Sequence, residues 1–415
     1  MQVYALMKYI ILLGDGMADL PLVELDGKTP LEYARTPNMD RIAREGTLGL
    51  IDTVPAGFPP GSDVAIMSLL GYDPKEYYTG RGPLEAANMG VRLAADDVAF
   101  RCNLVTLGGD RLHIMEDFTA DHISTEEAAI IIRDMDRELG SRIFQFYPGV
   151  GYRHLFVWRN ARARLETTPP HDITGKQTEA FLPKGEGMAE IRKLMHQSHA
   201  LLRDHPVNRS RVAKGKRPAN SIWLWGQGRA PDVPRITDKY SLTGGVISAV
   251  DLLNGIGVYA GLEVIRVPGA TGYVDTNYEG KAKSALNALR EKDFLFVHVE
   301  APDEMGHEGD LKGKIRAIED FDQKIVGTVV NALPRLAPFR LLVLSDHPTP
   351  ISLRTHSSDP SPFAVLSSER NENLRNCPTF NEECARRAGI KISPGHLLME
   401  RFITDWRGFI EQKSG

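Results

Sequence analysis

The chain has 415 residues, a formal net charge of −4, 42% hydrophobic residues and 25% charged residues. This length exceeds what a single hydrophobic core usually organises, so we expect two domains. The small net charge excludes a global attraction to nucleic acid or to a membrane surface, so an anionic ligand would need local cations or metal ions.

The first twenty residues are apolar, but they predict a buried strand rather than a secretory signal. The run is short, lacks a charged start and ends in Gly14-Asp15-Gly16 instead of a cleavage site. No stretch of the sequence reaches the roughly 20 apolar residues that span a bilayer. The cysteines Cys102, Cys377 and Cys384 form no CxxC pair, and their odd number favours reduced thiols, with a Cys377–Cys384 pair as the alternative. We therefore expect a cytoplasmic protein.

Short apolar runs that end abruptly in polar residues predict the strands of a parallel sheet. They cover residues 9–13, 294–299 and 341–344. Continuous apolar runs of this length are typical of strands buried on both faces. Helical patterns separate them: one begins at Pro37 after a possible cap at Thr36, and another covers residues 312–331. The pattern predicts an α/β fold.

The middle of the chain predicts a separate domain. Ligands gather at the carboxyl ends of parallel strands, and polar residues follow strands near the start of the chain and again in its last third. We therefore expect residues 1–87 and 236–415 to form one catalytic core. Residues 88–235 would be an inserted α/β domain that grips the substrate, with strands at 98–103, 153–158 and 221–225 and a helix at 125–137.

A set of aspartates and histidines follows the predicted strands and could bind metal ions. The candidates are Asp15, Asp303, His307, Asp346, His347 and His356. Asp303 and His307 are four residues apart, so one helical turn presents both to one point. Mixed oxygen and nitrogen ligands suit Mn²⁺ or Zn²⁺. The alternative is that each residue caps a turn at a strand end.

Ser62 follows Gly61 and opens an apolar helical run that continues to Leu70. We expect it at a helix N-terminus, where free N–H groups and the helix dipole favour an alkoxide or a bound phosphate. A serine hydroxyl is a weak nucleophile unless a base or a metal activates it. The alternative is a plain N-cap, since serine is among the best capping residues.

Motifs in the same order along nearly the whole chain resemble the archaeal-type, cofactor-independent phosphoglycerate mutases of the alkaline phosphatase superfamily. They are Gly14-Asp15-Gly16, Thr36-Pro37-Asn38-Met39-Asp40, Gly61-Ser62-Asp63, Gly71-Tyr72-Asp73-Pro74, Gly80-Arg81-Gly82-Pro83-Leu84-Glu85-Ala86, His205-Pro206-Val207-Asn208-Arg209, Pro268-Gly269-Ala270-Thr271-Gly272, the segment from Asp303 to His307, and Ser345-Asp346-His347-Pro348-Thr349-Pro350. The resemblance implies a three-layer sandwich with a mostly parallel sheet and a smaller inserted domain.

The resemblance also implies a reaction and a set of ligands. Ser62 would accept the phosphoryl group as 3-phosphoglycerate and 2-phosphoglycerate interconvert in glycolysis and gluconeogenesis, without 2,3-bisphosphoglycerate. Two divalent ions, Mn²⁺ or Zn²⁺ with Mg²⁺ or Co²⁺ as alternatives, would clamp the attacking and leaving oxygens. One ion would be bound by Asp303, His307 and His356, and the other by Asp15, Ser62, Asp346 and His347.

Substrate-binding candidates lie in or beside the inserted domain. They are Arg81, His122, Arg153, His154 and Arg229, the arginines being able to bind phosphate or carboxylate bidentately. The alternative for each is a solvated surface residue. The basic run at residues 203–217 lacks interleaved aromatics, so anion steering or a solvated linker is preferred over nucleic acid. We expect a small phosphorylated substrate, with neither nucleic acid nor membrane as a partner.

Trp225 departs from the family pattern, because archaeal members carry an arginine there. Together with the segments at 146–149 and 168–172, it resembles a bacterial subgroup whose members have been proposed to be homoserine kinases. No GxxxxGKS loop is present for ATP. A metal-dependent phosphomonoesterase and a metal-binding protein with a dead active site are further alternatives. The retained Ser62 argues against the last, because a binding module has no need of it.

Overall fold

The structure is a computed structural model that describes residues 7–109, 113–335, 338–369 and 377–414. Its strands are β1 (Lys8–Gly14), β2 (Thr47–Ile51), β3 (Val98–Gly108), β4 (Ile114–Asp117), β5 (Phe144–Val150), β6 (Arg153–Trp158), β7 (Arg164–Glu166), β8 (Lys184–Glu186), β9 (Ser221–Gly228), β10 (Gly244–Ile247), β11 (Glu263–Val264), β12 (Phe294–Val299), β13 (Phe339–Leu344), β14 (Ser361–Ser367) and β15 (Lys391–Ile392).

The α-helices are α1 (Pro30–Tyr33), α2 (Pro37–Glu45), α3 (Ser62–Leu69), α4 (Pro74–Tyr77), α5 (Arg81–Asn88), α6 (Thr125–Leu139), α7 (Met188–Arg203), α8 (Pro206–Ala213), α9 (Ile236–Tyr240), α10 (Asp251–Tyr259), α11 (Tyr278–Ala288), α12 (Ala301–Glu308), α13 (Leu311–Asp320), α14 (Gly327–Ala332), α15 (Glu382–Ala388), α16 (Leu397–Thr404) and α17 (Trp406–Ser414). A π-helical segment, Phe321–Val326, joins α13 to α14.

The described chain divides into two compact units, with junctions between Tyr78 and Thr79 and between Asp232 and Val233. The core unit is built from the two ends of the chain and the insert unit from the middle. The helix α5, which we assigned to the core, packs instead on insert strands. Its Ala86 lies in a small apolar cluster with Ala99, Leu155 and Val157, which explains why this junction precedes the predicted boundary at residue 88.

The core unit contains a sheet with the strand order β11-β10-β12-β1-β13-β14-β2-β15. The strands β11, β10, β12, β1 and β13 are parallel to one another, whereas β14 is antiparallel to both neighbours. The predicted strands at 9–13, 294–299 and 341–344 are β1, β12 and β13, side by side at the centre. The predicted α/β fold with a mostly parallel sheet is therefore confirmed.

Both faces of this sheet are covered, which is why its central strands contain continuous apolar runs. Ile10 and Leu12 of β1 belong to a buried cluster with side chains of α2, α11 and α14. On the opposite face, the Tyr9 hydroxyl donates to the Ile403 carbonyl at 3.0 Å, and the Tyr9 ring centre lies 5.8 Å from that of Phe402. Helices on both faces of one sheet make three layers.

The insert unit is organised around an antiparallel sheet with the order β4-β3-β6-β5, to which β9 adds by pairing with β3. The predicted strands at 98–103, 153–158 and 221–225 lie within β3, β6 and β9, and the predicted helix at 125–137 lies within α6. The side chains of these elements form the buried cluster of the unit.

Two observations bear on the expected cellular compartment. Cys377 and Cys384 form a disulfide, so the expectation of reduced thiols is wrong for this pair. The two cysteines are seven positions apart in the sequence and meet at the start of α15. Cys102 is free and buried in β3. Among the described residues, no helix combines the length and the apolar character needed to cross a bilayer.

Candidate active site

The register of the central strands brings the candidate ligands to one edge of the sheet. Gly14 at the end of β1 pairs with Val299 of β12, and Leu13 pairs with Leu344 of β13. The residues that follow these strands therefore emerge together. Asp15 follows β1, and Asp346 and His347 follow β13 after one serine.

Helix α12 begins directly after Glu300, which follows β12, and contributes two further candidates. It starts with a proline in its first turn and ends at Gly309, whose φ of 73° is the left-handed conformation that favours glycine. Asp303 and His307 lie one turn apart, with Oδ2 of Asp303 3.2 Å from Nε2 of His307. The Thr349 hydroxyl donates to Oδ1 of Asp303 at 2.5 Å. The predicted one-turn spacing is thus realised.

Asp15 and Asp346 are fully buried, and each has one oxygen held by the protein and one without a hydrogen-bond partner among the described residues. The Gly16 amide donates to Oδ1 of Asp346 at 3.1 Å, while Oδ2 of Asp346 is unpartnered. Oδ2 of Asp15 lies 2.8 Å from Nε2 of His298, while Oδ1 of Asp15 is unpartnered. Buried polar oxygens are normally satisfied, so two orphaned oxygens at one edge fit the binding of a cation.

The histidines indicate the same. The Nδ1 atom of His307 donates to the Arg354 carbonyl at 3.1 Å, and that of His356 donates to the Pro60 carbonyl at 3.2 Å. These bonds direct both Nε2 atoms inward, where they lie 2.9 Å apart. Two nitrogen lone pairs cannot face each other at this distance without a proton or a metal ion between them. Metal-binding histidines usually donate their other ring nitrogen to a group such as a backbone carbonyl, as both of these histidines do.

Ser62 is the first residue of α3, and its side chain does not cap the helix. The N-cap is Gly61, and no side chain makes a capping hydrogen bond at this end. Oγ of Ser62 lies instead 3.2 Å from Nε2 of His347. The same nitrogen is 3.5 Å from Oδ1 of Asp15 and 3.3 Å from Oδ2 of Asp346. The hydroxyl therefore faces the cluster of candidate ligands.

The carboxylates are crowded, and their pKa values reflect it. Burial, together with the negative charges of Asp346, Glu300 and Asp303, raises the pKa of Asp15 well above its ordinary value. Burial would also raise the pKa of Asp303, but hydrogen bonds from His307 and His356 outweigh it and hold that pKa well below the ordinary value. The hydrogen bond to Asp303 raises the pKa of His307 to about 9. Such carboxylate repulsion is relieved when a divalent cation binds.

The ligand atoms fall into overlapping groups whose members lie within 4.8 Å of one another. One group is Asp303, His347 and His356, and another is Asp15, Asp346 and His347. All seven predicted metal-site residues are thus brought together in the core unit. The donor set of carboxylates and imidazoles fits two divalent ions of the Mn²⁺ or Zn²⁺ type.

Two further residues of the site were missed by the sequence analysis. His298 and Glu300 form a third group with Asp15. The signal that points to them is a histidine inside the otherwise apolar strand β12, followed by a glutamate at the same edge of the sheet as Asp15. A histidine in a buried strand is more often read as core, which is why it was passed over.

In the insert unit, positive side chains gather around Trp225. The guanidinium of Arg101 lies 4.6 Å from the centre of the Trp225 ring, and its Nε is 3.2 Å from Oε1 of Glu85. The ring centre of His171 is 5.4 Å from that of Trp225. Arg101 is not among the predicted site residues, because a charged residue inside a strand gives no sign of its neighbours. His171 lies in the segment 168–172 that resembles the bacterial subgroup, but that resemblance assigns it no role.

Two predicted residues join this group. Burial and the positive charges of Arg81 and Arg153 lower the pKa of Arg101. Burial and the charges of Arg81 and Arg101 likewise lower the pKa of His171. The backbone of Gly226 lies beside Arg81 and Arg101. A Cβ atom built on this glycine would be 3.5 Å from Cβ of Arg81 and 3.8 Å from Cδ of Arg101. We call Arg81, Arg101, Arg153 and His171 the cationic cluster.

His122 lies in a strained loop of the insert unit. Ala120, Asp121 and His122 have φ values of 48°, 54° and 46°, which non-glycine residues rarely adopt. The Asp117 carboxylate accepts hydrogen bonds from the loop, and a guanidinium nitrogen of the buried Arg211 donates to the Ala120 carbonyl at 2.6 Å. Strain that the surroundings enforce in this way is often found at ligand-binding sites.

The other two predicted substrate-binding residues are engaged by the fold of the insert unit. His154 is only 4% exposed; its Nδ1 accepts from the Gly149 amide at 3.0 Å, and burial lowers its pKa to about 3. Arg229 donates to the carbonyls of Ala161 and Ala95 at 2.8 and 3.2 Å. The hydrogen bonds of Arg229 argue against a contact with the substrate, whereas Nε2 of His154 is buried without a hydrogen-bond partner among the described residues.

Comparisons with known proteins agree on one family. A family model described as 2,3-bisphosphoglycerate-independent phosphoglycerate mutase matches residues 43–208. A relative from Geobacter sulfurreducens, named a probable 2,3-bisphosphoglycerate-independent phosphoglycerate mutase, is 54% identical over 96% of this chain and 100% of its own. A relative from Methanosarcina barkeri, named 2,3-bisphosphoglycerate-independent phosphoglycerate mutase, is 55% identical over 93% of this chain and 96% of its own. The solved PH0037 protein from Pyrococcus horikoshii is 31% identical, with a TM-score of 0.80 and coverage of 96% and 97%.

Proposed function

The chain belongs to the 2,3-bisphosphoglycerate-independent phosphoglycerate mutase family, and from this premise we propose that it interconverts 3-phosphoglycerate and 2-phosphoglycerate through a phosphorylated Ser62. The relatives that carry this name match nearly the full length of the chain. The homoserine kinase alternative gains no support from them. The reaction is a step of glycolysis and gluconeogenesis.

The observation that carries the proposal is the position of Ser62. Its hydroxyl is released from helix capping by Gly61 and faces His347 at 3.2 Å, at the edge where the orphaned carboxylate oxygens converge. The dipole of α3 favours negative charge at its N-terminus, where Ser62 lies. Ser62 is therefore in the position that a phosphoryl acceptor requires.

The transfer can be written with the chain's own residues. The bond between Oγ of Ser62 and phosphorus forms as the bond between phosphorus and O3 of glycerate breaks, and the serine proton balances the released oxygen. Attack by O2 of the retained glycerate then restores Ser62. Two divalent ions, when bound by the predicted ligands, would stabilise the charge on the attacking and leaving oxygens. Loss of the glycerate before the second attack would turn the enzyme into a phosphatase.

The cationic cluster is proposed to bind the carboxylate of the substrate. Burial and the neighbouring positive charges lower the pKa values of Arg101 and His171, so a bound anion would stabilise the charged forms of both groups. Guanidinium groups match a carboxylate bidentately. The ring of Trp225 supports the Arg101 guanidinium from an adjacent strand, so a cation is present although position 225 itself lacks one.

The strained loop supports a second contact from His122, which would complete the hold on the substrate. We leave Arg229 out of this proposal because its guanidinium donates to backbone carbonyls, and His154 because it is almost fully buried in the insert unit.

A coupled assay tests the function directly. Purified protein with Mn²⁺ is given 3-phosphoglycerate, and formation of 2-phosphoglycerate is followed through enolase. Homoserine with ATP and p-nitrophenyl phosphate are offered in parallel. We expect turnover of 3-phosphoglycerate without added 2,3-bisphosphoglycerate. Kinase or phosphatase activity without mutase activity would contradict the proposal.

A further inference from the structure

His298 is a buried imidazole at the end of β12 that contacts other groups through both of its nitrogens. Its side chain is 1% exposed. Nε2 lies 2.8 Å from Oδ2 of Asp15, and Nδ1 lies 3.0 Å from Oγ of Ser248. Its backbone carbonyl accepts from the buried Lys281 ammonium at 3.0 Å, which fixes the strand end itself.

The carboxylate of Asp15 indicates which nitrogen of His298 carries the proton. An ionised carboxylate can only accept, so Nε2 donates to Oδ2 of Asp15. Oγ of Ser248 accepts from the Val250 amide at 2.9 Å and can direct its own proton to Nδ1 of His298. A neutral imidazole that accepts at Nδ1 carries its hydrogen on Nε2 and donates there. The result is a buried chain of donors that runs from the Val250 amide through Ser248 and His298 to Oδ2 of Asp15.

This chain fixes the orientation of the Asp15 carboxylate. With Oδ2 occupied by His298, Oδ1 is left without a hydrogen-bond partner and lies 3.5 Å from Nε2 of His347. A freely rotating carboxylate would offer either oxygen to a cation, whereas this one offers a single oxygen in a single direction. The Gly16 amide does the same for Asp346.

We propose that His298 is a positioning residue that presents Oδ1 of Asp15 to a metal ion, held in turn by Ser248. The inference rests on the proposed function only in taking Asp15 as a metal ligand. The distance of 2.8 Å between Nε2 and Oδ2 is that of an N–H···O hydrogen bond. Oε2 of Glu300 lies 3.2 Å from the same nitrogen, so a third cation bound by Asp15, His298 and Glu300 is the rival arrangement.

The test compares three variants by Mn²⁺ titration and elemental analysis. His298→Leu removes the donor, and we expect one of two Mn²⁺ ions to bind roughly 10–100-fold more weakly, since this is the usual cost of losing an outer support. His298→Gln keeps an N–H that can reach Asp15 and should recover most of the affinity. Ser248→Ala leaves the imidazole in place but removes its hydrogen bond at Nδ1, so we expect a smaller loss of Mn²⁺ affinity.

The matched control is His199→Leu in the insert unit. His199 is half-buried, and its Nε2 lies 2.8 Å from the hydroxyl oxygen of Ser221. Its contacts within the described part of the chain include no candidate metal ligand. Its loss should leave Mn²⁺ affinity unchanged. Should His298→Leu fail to fold, the Gln and Ser248→Ala variants still report on the hydrogen bond.

Two results would overturn the inference. One is wild-type Mn²⁺ affinity in His298→Leu and Ser248→Ala. The other is three Mn²⁺ ions in the wild type and two in both His298 variants, which would make His298 a ligand. Absence of mutase activity in a wild type that binds two Mn²⁺ ions would contradict the proposed function, yet leave the effect of His298 on metal affinity intact.

Discussion

The Nε2 atoms of His307 and His356 lie 2.9 Å apart, a separation that needs either a proton or a metal ion between them. Because the Asp303 hydrogen bond raises the pKa of His307 to about 9, the proton is present at neutral pH when no metal is bound. Metal binding must then displace it. The proton and the metal ion therefore compete for the space between these two nitrogen atoms.

The first prediction follows from this competition. Mn²⁺ affinity should rise with pH up to about 9, the pKa of His307, and level off above it. Calorimetric titrations at pH 7.5 in buffers of different ionisation enthalpy should show close to one proton released as the ion bound by His307 enters. Equal heats in all buffers would speak against proton displacement.

The second prediction concerns the number of ions. His307→Ala should remove one of two bound Mn²⁺ ions and nearly all turnover while the fold survives, because this half-buried side chain lies at the edge of the site. Elemental analysis and a melting curve measure both effects. The exposed His196→Ala in α7 is the control. Unchanged metal content in His307→Ala would contradict the ligand assignment.

The third prediction separates catalysis from capping at Ser62. Loss of a capping side chain typically costs about 1 kcal/mol of stability. Since Gly61 is the N-cap and Ser62 makes no capping bond, Ser62→Ala should cost clearly less in the free energy of unfolding. Turnover should fall by several orders of magnitude, because the covalent route is lost.

Mass spectrometry provides the direct readout for the same residue. Wild-type protein incubated with 3-phosphoglycerate should gain one phosphate, and the alanine variant none. Ser62→Thr should be folded, metal-bound and nearly inactive, because it adds a methyl group between closely spaced ligands. Near wild-type turnover in Ser62→Ala would end the phosphoserine mechanism.

The fourth prediction concerns the cationic cluster. Arg101→Lys keeps the charge beside Glu85 but loses the planar fork that binds a carboxylate bidentately. We expect the KM for 3-phosphoglycerate to rise by about tenfold or more, because one charge-assisted hydrogen bond to the substrate is lost. The change in kcat should be smaller. The exposed Arg133→Lys in α6 controls for a general effect of charge position. A KM that matches the control would remove Arg101 from the substrate site.

The central strands and the metal candidates could be predicted from sequence because both signals are local. β1, β12 and β13 contain the continuous apolar runs at 9–13, 294–297 and 341–344, and four of the ligands follow these strands within a few residues: Asp15, Asp303, Asp346 and His347. Their parallel register then gathers those ligands without further information. A family resemblance supplied the pairing of residues with each ion.

The missed residues share one property: their importance lies in contacts made across the chain. His298 looks like a core residue of β12 until Asp15 is placed beside it, and Arg101 looks like a strand charge until Trp225 and Glu85 surround it. The assignment of α5 to the core unit failed for the same reason, since only packing on β3 shows where it belongs. The hydrophobic periodicity of a sequence indicates which side chains are buried, but not which distant residues they contact.

Building the core unit from both ends of the chain has a consequence for synthesis on the ribosome. β1 leaves the exit tunnel early, yet its neighbours β12 and β13 are translated only after the whole insert unit. At ordinary elongation rates of about 5–20 residues per second, an apolar strand with two open edges must wait many seconds for its partners. The insert unit is continuous in sequence and can fold during that interval. We therefore expect truncated products that end before β12 to aggregate, because the edges of β1 stay unpaired in them.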